Sequence, residues 1–185
     1  MPIKYGFDFE VKQVVEAAGL MLISARTAPK SGGIDDILVA LVYGEDKDRL
    51  ADEMDRLAKE RGEKWSRDAG NVRDSDAVIL IGVRGTKSFG MSCGACGYPT
   101  CDDFNKAEKK LGRDFRGPVC LFKILDLGIA LGSAVKTASM LNIDNRIMYR
   151  AGVAAMRLNM LPEADVIMGI PVSARGKNIY FDRKQ

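Results

Sequence analysis

Histidine is absent from all 185 residues. That gap removes Ser-His-Asp triads, Cys-His pairs, histidine-bound metals and histidine-held haem. Long apolar runs are missing too. The longest candidate, residues 121–141, is interrupted by Lys123, Asp126 and Lys136, so nothing approaches the ~20 residues of a membrane span. Residues 1–8 carry no apolar core of an export signal. Charge of one sign is lacking as well: 28 basic against 25 acidic residues leave +3, too little to imply nucleic acid. A soluble, cytoplasmic chain with no membrane or nucleic-acid partner is expected. With 46% hydrophobic residues it can bury a core without disulfides.

Cysteine is scarce but concentrated. Three of the four fall in Cys93-Gly94-Ala95-Cys96-Gly97-Tyr98-Pro99-Thr100-Cys101, and Cys120 follows, giving C-x2-C-x4-C-x18-C. Thiolate sulfur suits iron, and a cubane cluster needs four outside ligands. Gly94 and Gly97 permit turns that a Cβ would block, and a helix from Cys101 to Leu111 would aim its N-terminus at an anionic cluster. Zinc also takes four cysteines, often as two C-x2-C knuckles, and only one is present. Free or redox-active thiols are the third reading.

Apolar periodicity places a helix over residues 9–28 with Asp8 as N-cap and Val11, Val14, Val15, Ala18, Met21, Leu22 and Ala25 inward. A buried strand over 37–43 precedes a charged helix over 46–61 that stops at Gly62. A short helical segment surrounds Trp65, and a second buried strand covers 76–83. A long helix with small residues spans 124–142, a strand or extended link 146–149, a helix 150–158, and a third buried strand 164–171. Strands separated by helices, without hairpin signals, argue for an α/β-like or α+β core. Lys106, Lys109, Lys110, Arg113 and Arg116 form a basic surface suited to an acidic redox partner, or simply a solvated face.

Three resemblances add to this reading. C-G-A-C-G-Y-P-T-C-x-x-F with a later cysteine resembles the four-cysteine iron–sulfur module of anaerobic electron-transfer proteins. Carried over, it implies a [4Fe-4S] cluster on Cys93, Cys96, Cys101 and Cys120. Residues 25–33 (A-R-T-A-P-K-S-G-G), 126–142 and 158–171 are similar to stretches of the flavin-dependent nitroreductase family. That likeness implies an α+β core, a homodimer, and FMN at the subunit interface, with Arg26, Lys30, Ser31, Arg175 and Lys177 as its contacts here. The combination also resembles a group of uncharacterised proteins of anaerobes that contain a ferredoxin domain, through residues 28–33, the cysteines and 169–183. The expectation is one nitroreductase-like domain over 1–185 with an iron–sulfur module inserted at 88–122. Its function would be redox transfer to a flavin, a small-molecule substrate or a partner protein. A non-enzymatic electron carrier or sensor, and a zinc-stabilised interaction domain, are the alternatives.

Overall fold

The structure is a computed structural model and describes residues 3–181, without the side chains of residues 7 and 8. Its architecture follows from β2 (Ala77–Val83), in which every residue is buried. Such a strand must be paired on both edges and covered on both faces. β1 (Ile37–Val42) pairs antiparallel on one side with Ile37 opposite Val83, and β6 (Val166–Ser173) antiparallel on the other with Val172 opposite Ala77. The two-residue β5 (Asp144–Asn145) extends the far edge, giving the order β1-β2-β6-β5. A separate hairpin joins β3 (Lys110–Leu111) to β4 (Arg116–Gly117).

Alternation along the strands assigns the two faces. Ile79, Ile81, Ile170 and Val172 meet α1 (Gly6–Thr27) and α5 (Leu121–Met140), burying Met21, Ala25, Leu127 and Ala134. Val78, Leu80 and Ile167 meet α2 (Glu45–Arg61), α3 (Glu63–Arg73) and α6 (Tyr149–Arg157), burying Leu50, Met54, Val72 and Val153. The near-continuous apolar strands therefore report a doubly covered sheet, although its strands run antiparallel.

Local chemistry sets the helix ends. Glu45, Asp46 and Asp48 open α2, Lys59 and Arg61 close it, and both sets oppose the helix dipole. Gly62, at φ 96°, stops it while its N–H donates to the Ala58 carbonyl. Four expectations shift. α1 starts at Gly6, which places Asp8 inside the first turn rather than before it, and Val11 is exposed. α5 starts at Leu121, three residues before Ile124, because Lys123 interrupts the apolar pattern yet is buried against Asp36, 2.6 Å away. α4 (Cys101–Lys106) ends well short of Leu111. Ala107 turns extended there, and the Lys109 amine donates to the Phe104 carbonyl. Finally, the link before α6 is strand only at 144–145, with Met148 bridging Gly169.

α6 lies directly on β6. A Cβ on Gly152 would stand 1.8 Å from the Ile167 carbonyl oxygen, a backbone atom that cannot step aside. Gly152→Ala should therefore cost about 3 kcal/mol or more in denaturant unfolding. Gly70→Ala in α3, where a Cβ meets nothing within 4 Å, should gain about 0.5–1 kcal/mol. Equal effects at the two positions would contradict the α6–β6 packing.

Candidate functional site

The four cysteines come together. Cys93, Cys96, Cys101 and Cys120 all line one open concavity, with Phe89, Tyr98 and Phe122 among its walls. Gly94 and Gly97 adopt positive φ (73° and 86°), and the Gly97 N–H donates to the Gly94 carbonyl at 3.0 Å, so the C-x2-C segment is a tight turn. Ser92 also has positive φ, 46°, a position that costs energy for a residue with a Cβ. That twist aims the Ser92 N–H at the Cys101 sulfur, 3.1 Å away, while the Cys101 N–H donates to Ser92 Oγ at 3.2 Å. The Ser92 backbone hydrogen bond pulls the Cys101 thiol below its ordinary range, against a weaker opposing effect of desolvation.

Two helix starts bound the site. Thr100 caps α4, its side chain accepting from the Asp103 N–H, so Cys101 is the first helical residue as expected. Cys120 is the N-cap of α5 and is only 6% exposed. No side chain caps that end, and Leu121 and Phe122, the first residues of α5, face the concavity. The open amides of a 20-residue helix favour a negatively charged group there. Phe122 packs on Phe89 with ring centres 5.0 Å apart, and Tyr98 meets the fully buried Phe104 edge-on at 5.9 Å. The Lys109 amine sits 3.6 Å over the Phe104 ring. Burial lowers its pKa, while Cys96 and Asp165 act to raise it.

The donor set suits a multi-iron cluster: four thiols, glycine turns, and an uncapped helix end. Among the described residues, no three His, Cys, Asp or Glu side chains stand close enough to hold a single metal ion.

The segment between β2 and α5 is held at several points. The Cys120 N–H donates to the Gly85 carbonyl at 2.8 Å, and the Arg116 N–H to the Asp165 carbonyl at 3.0 Å. Asp165 accepts from both the N–H and hydroxyl of Thr86 at 2.9 Å. At the hairpin tip Asp114 takes Arg61 and the Tyr149 hydroxyl, and Phe115 meets Tyr149 edge-on at 5.4 Å. The expected basic surface is divided accordingly: Lys106 ends α4, Lys110 pairs with Glu108 at 2.8 Å, and Arg116 faces Asp165 at 3.4 Å.

The expected flavin contacts form two separate groups. Arg26 donates to Asp35 at 2.7 Å and to the Ile37 carbonyl, and Lys30 pairs with Asp35 at 3.7 Å. The Ser31 N–H and hydroxyl both donate to Asp126 at 2.8 Å. Burial opposes ionisation of Asp35, but the Arg26 and Ile37 hydrogen bonds hold its carboxyl below the ordinary range. Arg175 instead binds Asp76 through two hydrogen bonds of 2.6 and 2.9 Å, and Lys177 follows in the same loop. Ile37 stands opposite Val83 and Asp76 just precedes Ala77, so the groups lie near opposite ends of β2, roughly 20 Å apart.

Comparison with known proteins follows this geometry. Residues 116–183 match the model of a family described as "Uncharacterized protein containing a ferredoxin domain". That match spans Cys120, α5, α6 and β6 but not the first three cysteines. The chain is 51% identical over 176 residues to an uncharacterized protein of Archaeoglobus fulgidus, covering 95% of each. Two solved structures share its fold at TM-score 0.55 and 14% identity. One, from Bacteroides thetaiotaomicron, is described as an NADH dehydrogenase/NAD(P)H nitroreductase, with 88% of this chain and 74% of that one covered. The other, from Desulfovibrio desulfuricans, is described as a nitroreductase in complex with FMN, with 92% and 79% covered. The core accordingly has the fold of the FMN-dependent nitroreductases, as the three sequence stretches implied. At such identity the likeness shows fold alone.

The Ser92 contact has a measurable consequence. In metal-free protein, iodoacetamide should alkylate Cys101 with a midpoint below the ~8.5 of free cysteine, because more thiolate is present at any given pH. A midpoint at or above that value would show that the Ser92 amide does not reach the sulfur.

Proposed function

We propose, for a chain that belongs to one family with the Archaeoglobus fulgidus protein, an iron–sulfur redox function centred on Cys93, Cys96, Cys101 and Cys120. The observation that carries this reading is the meeting of all four thiols around one concavity at the uncapped end of α5. Residues 88–122 would be a [4Fe-4S] module inserted into a single domain covering 1–185. The cluster would supply single-electron exchange, and FMN, if held by the same scaffold, hydride chemistry. The protein's own groups have defined parts. Ser92 donates a hydrogen bond to the Cys101 sulfur, α5 presents its N-terminal dipole, and Lys109 adds a cation near Cys96. Each favours the more negative state of the site.

For FMN, Arg26, Lys30 and Ser31 from one chain and Arg175 and Lys177 from the other are the candidate contacts. The exposed face of α5 supports the homodimer this requires: Leu121, Leu125 and Ile129 stand out, with Gly128 and Gly132 beside them offering no side chain. A second reading, an electron carrier or sensor without flavin, draws on the internal ion pairs that engage Arg26, Lys30 and Arg175.

Anaerobically purified protein should contain about four irons and four sulfides per chain, with a broad band near ~400 nm. Cys101→Ser and Cys120→Ser should each remove most of that absorbance. Colourless protein with one zinc per chain would overturn the reading. FMN titration decides the second half, since saturable binding supports the flavoenzyme and none supports the carrier. Leu125→Glu should convert a two-chain particle to a single chain in sedimentation velocity. A wild-type monomer would remove the dimer.

A further inference from the structure

We infer that the recess between α3 and α6 is a binding site for the phosphate oxyanions of a small phosphorylated ligand. The recess is open to solvent, with a volume of about 360 Å³, and all four side chains that line it are cationic: Lys64 and Arg67 of α3, Arg146 before α6, and Arg150 in its first turn. It lies on the α3–α6 face of the sheet, whereas α5 and its cysteine cap belong to the other, so the inference does not depend on the iron–sulfur reading.

A buried carboxylate builds the site. Asp68 is 2% exposed and sits behind the cations. Its Oδ1 accepts from Arg67 at 3.0 Å, its Oδ2 from Arg150 at 2.6 Å, and Arg146 pairs with Oδ1 at 3.6 Å. Three guanidinium groups from separate positions in the chain thus converge on one negative charge. Their planar forks carry many more N–H donors than a single carboxylate can accept. The buried Trp65 ring lies 5.9 Å from the Arg150 guanidinium. Four cations against one carboxylate leave a local surplus of three positive charges, and the three arginines among them are held in place before any ligand arrives. A tetrahedral oxyanion with several acceptor oxygens matches that fixed array of donors. The recess has room for more than one phosphate group.

Isothermal titration of the full-length, anaerobically purified chain with inorganic pyrophosphate tests the assignment, with adenosine diphosphate as a second arm. Saturable binding that weakens with added salt is expected. The double variant Lys64→Gln/Arg67→Gln should weaken binding about tenfold or more while leaving Arg146 and Arg150 on Asp68. Lys64→Gln alone should weaken it about threefold without touching the Asp68 contacts. Lys12→Gln on α1 should change nothing. Much tighter adenosine diphosphate binding identifies a nucleotide as the ligand, and equal binding identifies the phosphates alone. No binding of either at about 1 mM, binding indifferent to both variants, or binding only of an oligoglutamate peptide overturns the proposal.

Discussion

The hydrogen bond from the Cys120 N–H to the Gly85 carbonyl is the constraint on which the cysteine site depends. It ties the first residues after β2 to the first turn of α5, so the chain leaves the core and returns to it at one place. A Cβ on Gly85 would already press on Val119, 3.0 Å away, so the two strands of this junction lie in close contact. With its base closed, the long segment between is steadied by Asp165, which takes Thr86 and the Arg116 N–H, and at the hairpin tip by Asp114, Phe115 and Tyr149. The three loop cysteines are then presented to a fourth that the core fixes. Closing the loop at its base also reduces the entropy cost of ordering it.

Much of the scaffold was legible in the sequence because burial on both faces leaves a plain mark. Strands such as Val78 to Val83 are apolar at every position, and α2 and α6 show helical spacing with charged outer faces. One misread boundary, the start of α5, has a plain cause: a buried ion where apolar residues were expected. Lys123 appeared to interrupt α5, yet it is 1% exposed and pairs with Asp36 from another element. That pairing hid Cys120 as a helix cap. The cysteine spacing marked the four thiols that line one concavity, because a turn needs glycines near its thiols. Residues 64, 67, 146 and 150 gave no such sign, since only the packing of α3 on α6 makes them neighbours.

The loops that likeness to flavoproteins singled out illustrate the converse. Arg26, Lys30 and Ser31 were singled out from sequence as candidates, but their partners Asp35 and Asp126 are set by the three-dimensional turn. The acidic pair Asp35-Asp36 reads as excess negative charge along the chain. In space Asp35 is taken by Arg26 and Lys30, and Asp36 by Lys123. A phosphate binding there would exchange partners with these carboxylates rather than meet bare cations. Such exchange lowers net affinity but orders the loop in advance.

Exposure at the four cysteines is graded: Cys93 is exposed, Cys96 and Cys101 half-covered, and Cys120 buried. Oxidants and chelators arriving from solvent therefore meet the turn first and the α5 end last. The bonds that hold Cys120 in position are backbone bonds and do not involve its sulfur. Chemical modification would begin at the most exposed thiol and leave the buried one in place, so a chain emptied of the proposed cluster would keep the template for reloading.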